Sequence, residues 1–226
     1  MKRGMKIGGI ASIIQAFCYI CGFVMLATVM NPGSTEGWTQ VEKMEFILER
    51  DTLFIVWNTI IYVIFGILLV ALTAVLHQVL RNDASLLMSI ATPFGFIWSG
   101  LVIASGMLAN VGLSMAAQTY ERNAEDATRA WSIIGTIQDG LGGGVEVVGG
   151  VWVLLVSIAA LRGGSPFPVP LNWIGLVVGV AGIVTIIPAL SGVGVVFGLT
   201  QIVWFIGVGV VLLRADDTQQ CAEADV

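Results

Sequence analysis

Charge is scarce in this chain. Asp, Glu, Lys and Arg make up only 11% of its 226 residues, against roughly 25% in soluble domains, so the folded chain has too few solvated side chains to cover itself. Histidine occurs once, at His77, and cysteine three times, at Cys18, Cys21 and Cys221. A single histidine excludes a haem held by two histidines within the chain, and likewise a histidine-rich zinc site. Three cysteines are too few for a disulfide framework. Cys18 and Cys21 match C-x-x-C but fall in an apolar run with no charged neighbour to form a thiolate, so they read as packing residues. Lys and Arg number 10 against 15 acids, and the net charge of -5 leaves none of the positive surface that nucleic acid requires as a partner. The glycine-rich stretches lack G-x-x-x-x-G-K-[ST], so no phosphate cradle is indicated.

What is abundant is apolar. Hydrophobic residues reach 57% and the mean hydropathy is +0.92, an excess that needs a nonpolar medium outside the fold. The apolar runs fall at residues 7–30, 53–77, 86–110, 134–161, 171–190 and 194–214, each long enough to span a bilayer as a helix. Without water every backbone N–H and C=O must be satisfied inside the segment, which selects helices; a barrel would need strict apolar and polar alternation. The expected fold is therefore all-α, an integral membrane bundle of six transmembrane helices over residues 1–214 with lipid as its solvent, followed by a disordered acidic tail at 215–226. No second soluble domain has room. The first run follows Lys2, Arg3 and Lys6 like a secretory signal, but it continues to Met30 without an A-x-A-like site and reads as an uncleaved first span.

The basic residues set the orientation. With the N-terminus inside, the cytoplasmic segments carry Lys2, Arg3, Lys6, Arg81, Arg162 and Arg214, and the outer loops 31–52 and 111–133 carry Lys43, Arg50, Arg122 and Arg129 among many acids. Both termini are then cytoplasmic, in a prokaryotic cytoplasmic (inner) membrane. In the first outer loop Thr39-Gln40-Val41-Glu42 is a capping-box pattern that starts an amphipathic helix; Trp38 and Trp57 are expected at the headgroup level. In the second, Arg122 with Asp126 and Glu125 with Arg129 stand at i,i+4 and support a solvated helical extension. The glycine- and proline-rich residues 163–170 break the chain between the fourth and fifth runs, and Trp173 anchors the next helix.

The fourth run carries the candidate site. On one continuous helix Asp139, Gly142, Gly143, Glu146, Gly149, Gly150 and Val153 share a side, small and acidic. Glu146 falls near the middle of the run, where an ionised carboxylate costs about 2.5 to 3.5 kcal/mol on insertion scales, so it is expected to be neutral, paired or wet. No Lys or Arg lies deep in any run, which leaves Asn58, Asn110, Gln138, Gln201, a backbone carbonyl, water or a bound cation as partners. Glu146 is then either a proton or cation site on a polar cavity or a hydrogen-bonded packing residue. Asp139 is either a solvated acid at the mouth of the bundle or an entry ligand for a cation. His77, beside Gln78 and Arg81, reads as structural. Ser191 precedes a glycine but has no histidine at its depth, so a serine nucleophile has no base. Gly175 and Gly179 form a G-x-x-x-G packing face.

In the C-terminal half, Pro168-Val169-Pro170-Leu171-Asn172-Trp173-Ile174-Gly175, an apolar glycine-rich span, then Gln201-Ile202-Val203-Trp204-Phe205 and a closing Leu213-Arg214 resemble the six-helix bacterial membrane proteins grouped as domain of unknown function 4386. The resemblance implies a fold and a membrane location and carries over no catalytic residue. The leading expectation is a non-enzymatic membrane protein without cofactor or metal, acting through helix packing or through partners, homo-oligomers included, on its glycine-rich faces. The rival is a small proton- or cation-coupled permease using Glu146 and Asp139. An intramembrane enzyme ranks third.

Overall fold

The computed structural model describes residues 2–162 and 164–224, with side chains from residue 3 to residue 215. All its regular structure among these residues is helical. The chain begins with α1 (Lys2–Ala27), an apolar helix rich in isoleucine that continues through Gly4, Gly8, Gly9 and Gly22. A turn leads to α2 (Gln40–Leu48), and α3 (Asp51–Asn58), a π-helical turn (Thr59–Ile64) and α4 (Phe65–Leu80) then follow without interruption. After α5 (Ser85–Tyr120) come α6 (Ala124–Gln138), a second π-helical turn (Asp139–Gly143), α7 (Val147–Arg162), α8 (Val169–Val184), a 3-10 turn (Pro188–Val193) and α9 (Gly194–Ala224).

Five helical stretches are long and apolar enough to cross a membrane: Arg3–Ala27, Asp51–Leu80, Ser85–Tyr120, Ala124–Arg162 and Pro188–Ala215. The protein is thus a multi-pass helical membrane protein. The fifth apolar run, expected to fill residues 171–190, yields only α8, whose 16 residues rise about 24 Å against a hydrocarbon core of about 30 Å. Turns follow it directly, and Pro188 cannot continue a helix whose preceding carbonyls need a donor.

The long helices close into a ring in which α1 packs on α4, α4 on α5, α5 on α7, α7 on α8, α8 on α9, and α9 back on α1. The neighbours alternate in direction, which brings the start of α1 beside the ends of α4 and α9: Gly4 lies under Gln78, and Gly9 under Leu213. Inside the ring the aromatic side chains form a continuous stack. Phe65 meets Trp98 at 5.5 Å and Phe205 at 5.8 Å, Trp98 meets Trp152 at 5.7 Å, and Trp152 meets Trp204 at 5.7 Å between ring centroids, mostly edge to face, the arrangement that ring quadrupoles favour.

The glycine faces are filled from within. A Cβ on Gly150 would stand 2.7 Å from the carbonyl oxygen of Gly179, one on Gly182 would stand 2.8 Å from the Cα of Gly150, and one on Gly149 would stand 2.5 Å from the Trp98 ring. The backbones of α7 and α8 therefore touch, as a small-residue face allows. Gly175 and Gly179 face the same seam, so this G-x-x-x-G face is used within the chain itself.

At the end of the bundle where α1 finishes, the connecting segments are helical, as their capping box and charge spacing led one to expect. α5 runs on to Tyr120, and Asn123 caps α6 by accepting from the N–H groups of Glu125 and Asp126 at 3.0 and 3.3 Å. Its amide also donates to the Asp126 carboxylate at 2.9 Å, so the expected Arg122–Asp126 pairing does not form, because Arg122 sits in the turn between the two helices. The Thr39 capping box is present: the Glu42 N–H donates to Oγ1 of Thr39 at 3.2 Å, and the Thr39 N–H donates back to the Glu42 carboxylate at 2.6 Å. The apolar side of α2 is covered by protein, with Met44 buried against Leu113 and Ala116. At the other terminus α9 continues to Ala224 through the segment expected as a disordered tail. Residues 215–224 contain neither glycine nor proline, and nothing in them stops the helix; Asp225 and Val226 lie outside the described residues.

Candidate functional site

The crossing expected as one helix over 134–161 is two helices with a break between them. Gly140 and the run Gly142–Gly144 remove side-chain support where each glycine costs roughly 1 kcal/mol relative to alanine. The π-helical turn ends there, and Gly142 adopts φ 124°, a region that residues with a Cβ avoid. Residues 144–146 are outside any helix. Unwound backbone at membrane depth needs substitute partners. The N–H groups of Gly144 and Val145 both donate to the carbonyl of Asp139, at 3.3 and 3.2 Å. The N–H of Glu146 donates to Oγ1 of Thr185 at 2.8 Å, and that hydroxyl donates in turn to the carbonyl of Gly182 at 2.7 Å. The break is therefore held from α8, and α7 restarts with the N–H of Gly150 donating to the Glu146 carbonyl at 2.8 Å.

This corrects the expected position of Glu146 and the face it was placed on. Because the helix is interrupted, Asp139 and Glu146 do not share a helical stripe. α7 has 16 residues, so Glu146 stands about 24 Å along the axis from Arg162, ahead of the helix instead of within it. α8 stops at the same level, so two of the six rods end together and leave space above the aromatic stack.

That space is a cavity of about 360 Å³. It is lined by Tyr19, Gly22, Phe23 and Leu26 of α1, Trp57 of α3, Ile61 and Tyr62 of the first π-helical turn, Phe65 of α4, Trp98 of α5, the run Gly142–Gly144, Ser191 of the 3-10 turn, and Val195 and Phe197 of α9. Both π-helical turns border it, a recurrent feature of functional sites. Glu146 opens into it and supplies the one acidic side chain of the lining. Among the described residues its carboxylate has neither a hydrogen bond nor an ion pair. It precedes the first turn of α7, where the helix dipole favours negative charge. Tyr19 and Tyr62 are titratable groups that line the same cavity.

Of the other expected partners, none reaches this cavity directly. Gln138 contacts the Tyr62 side chain and so stands one residue behind the wall. Asp139 is exposed, its carboxylate lying over Gly144. The Asn110 amide donates to Oγ1 of Thr59 at 3.1 Å, Asn58 is buried beneath Gly106, and Gln201 is buried in the ring with its amide unpaired. These residues lie on helix faces turned to neighbouring helices, a rotation that a stretch of uniformly apolar residues does not disclose. Trp57, expected at the headgroup level, lines the cavity instead; Thr185 and the other cavity aromatics carry no site signal in the sequence beyond the place of Thr185 just past the end of α8 and three residues before Pro188.

Elsewhere, His77 makes a contact of 2.7 Å through Nδ1 with the Thr92 hydroxyl, which is itself 2.7 Å from the Met88 carbonyl. The hydroxyl proton goes to Met88, so His77 is the donor from Nδ1. Ser191 lines the cavity, and the two residues do not meet. No cluster of three or more His, Cys, Asp or Glu side chains able to hold a metal occurs among the described residues.

No family model, curated protein or solved structure matches the chain.

Proposed function

We propose that this is a non-enzymatic, six-span protein of a cytoplasmic membrane that admits a small ligand to the cavity beside its broken fourth crossing and couples that ligand to a proton on Glu146. The observation that carries the reading is an unpaired carboxylate facing a cavity of about 360 Å³ at a helix break. An uncompensated charge at this depth is costly, so Glu146 holds either a proton or a positive guest, and exchange between the two is a coupling mechanism. In this reading α8 is the sixth span, and the basic residues at the start of α1, Arg81 just after α4, Arg162 at the end of α7 and Arg214 within α9 favour cytoplasmic termini. The proposed kinship with domain of unknown function 4386 rests on the Pro168–Gly175 and Gln201–Phe205 segments and adds no activity.

The reading that leads from the sequence alone, a protein acting through helix packing or partners on its glycine-rich faces, gains less support because the glycine-rich α7–α8 seam is internal. The test is proton flux into reconstituted vesicles under an imposed pH gradient, with sodium, potassium or tetraethylammonium ions trapped inside as the exchangeable positive guest. The wild type is expected to dissipate the gradient, and Glu146→Gln to lower the protein-dependent rate roughly tenfold or more, the loss of one positioned proton-transfer group. Equal rates from the two proteins, both folded by thermal unfolding, would end the permease reading.

A further inference from the structure

A proton site needs a carboxylate and little else, yet this carboxylate faces a cavity whose volume of about 360 Å³ is that of a small-molecule site, roughly 300 to 1,000 Å³. Its walls hold the rings of Tyr19, Phe23, Trp57, Tyr62, Phe65 and Trp98, and no Lys, Arg or His is among the lining residues. Aromatic faces are negative and edges positive, and the one formal charge is negative. The wall has no basic group to receive a phosphate or a carboxylate. A bare divalent cation is poorly served as well, because calcium and magnesium want six or more oxygen ligands and the cavity has one acid. A weakly hydrated cation with an apolar body gains from both features: rings over its faces and a counter-charge within the same space.

We propose that the Glu146 cavity binds a small apolar organic monocation, an alkyl- or arylammonium. This rests on reading the cavity as the ligand site of the permease. The exchange balances charge without further reactants. The guest enters as a cation, the proton on the Glu146 carboxyl leaves to solvent, and the carboxylate is neutralised once in either state. Cation binding therefore weakens as pH falls, because proton and guest compete for the same oxygens. The titratable groups that face Glu146 are Tyr19 from α1 and Tyr62 from the first π-helical turn; the 3-10 turn and α9 contribute Ser191 and apolar residues, and the exposed Asp139 lies outside the lining.

The test uses the full chain in uncharged phosphatidylcholine nanodiscs, titrated with benzyltrimethylammonium, with its uncharged carbon isostere neopentylbenzene, and with benzoate. Fluorescence of the lining Trp57 and Trp98 reports occupancy, and calorimetry in two buffers of different ionisation enthalpy counts protons. The expected result is saturable binding of the ammonium with release of about one proton, at least roughly tenfold weaker binding of the isostere and none of benzoate, since each tenfold step is a modest part of a charge pairing. Glu146→Gln is expected to remove the preference for the cation, and Trp57→Leu to weaken it several-fold. Equal binding of ammonium and isostere by the wild type overturns the proposal, and this arm needs no substituted protein. If protons cross vesicles through Glu146 while the ammonium fails to bind, the ligand class falls and the permease stands; if neither occurs, both fall.

Discussion

Gly149 and Gly150 lie in the first turn of α7 with an indole ring and a carbonyl pressed against them. A few residues earlier, Gly142 has open space where a side chain would go, and its backbone has turned to φ 124°. One pair uses the absence of a Cβ for close approach, the other run uses it for conformational freedom. The same residue type therefore seals the lower part of the crossing and opens the upper part. What separates them is the neighbour: α8 backbone and Trp98 below, a cavity above.

The comparison can be broken by filling each run in turn. Gly150→Ala is expected to have the largest effect, a loss of about 3 kcal/mol in reversible unfolding in detergent, because the obstructing atoms belong to the α8 backbone and cannot rotate away. A neutral outcome would mean that the α7–α8 seam is loose. Gly142→Ala meets no obstacle and costs only its backbone conformation, about 1 to 2 kcal/mol, yet it should alter the cavity, read as a change in Trp57 and Trp98 fluorescence. Gly140→Ala, with no positive φ and open space around it, serves as the control and should be neutral or stabilising by up to about 1 kcal/mol. If Gly140→Ala and Gly142→Ala behave alike, the positive-φ break is not the determinant.

The smallest effect lies outside both runs, at α2. The backbone N–H of Thr39 and then its hydroxyl hold the exposed Glu42 carboxyl below its ordinary value of 4.5. A depressed folded value means that the capping contribution is complete above the unfolded value and disappears as pH falls through the folded one. Hydrogen-exchange protection of the α2 amides, corrected for intrinsic rates, should decrease as pH falls below 4.5 while the ring of long helices is unaffected. Glu42→Gln should remove that dependence.

Much of this was legible residue by residue. Thr39 and Glu42 are three apart, and a capping box needs nothing beyond that spacing. Glu146 stood out as an acid deep in an apolar run because few other outcomes suit a charge there. Its surroundings were not legible. Asn58, Asn110 and Gln201 share the apolar runs with it, yet helix rotation buries them elsewhere in the bundle. The aromatic residues that do line the cavity are indistinguishable in sequence from those that fill the core.

By itself the sequence determined that helices cross a lipid phase, because backbone polar groups without water can be satisfied only within a helix or a closed barrel and these runs have no alternation. It also determined that the fourth crossing is weak, through its glycines. Only the tertiary structure decided that this weakness becomes a break, because the hydroxyl that satisfies the freed Glu146 N–H comes from Thr185, on the far side of a loop and another helix. Only the packing of the ring decided which side chains look into the resulting space, since that depends on the rotation of each helix about its own axis, which the neighbouring helices set.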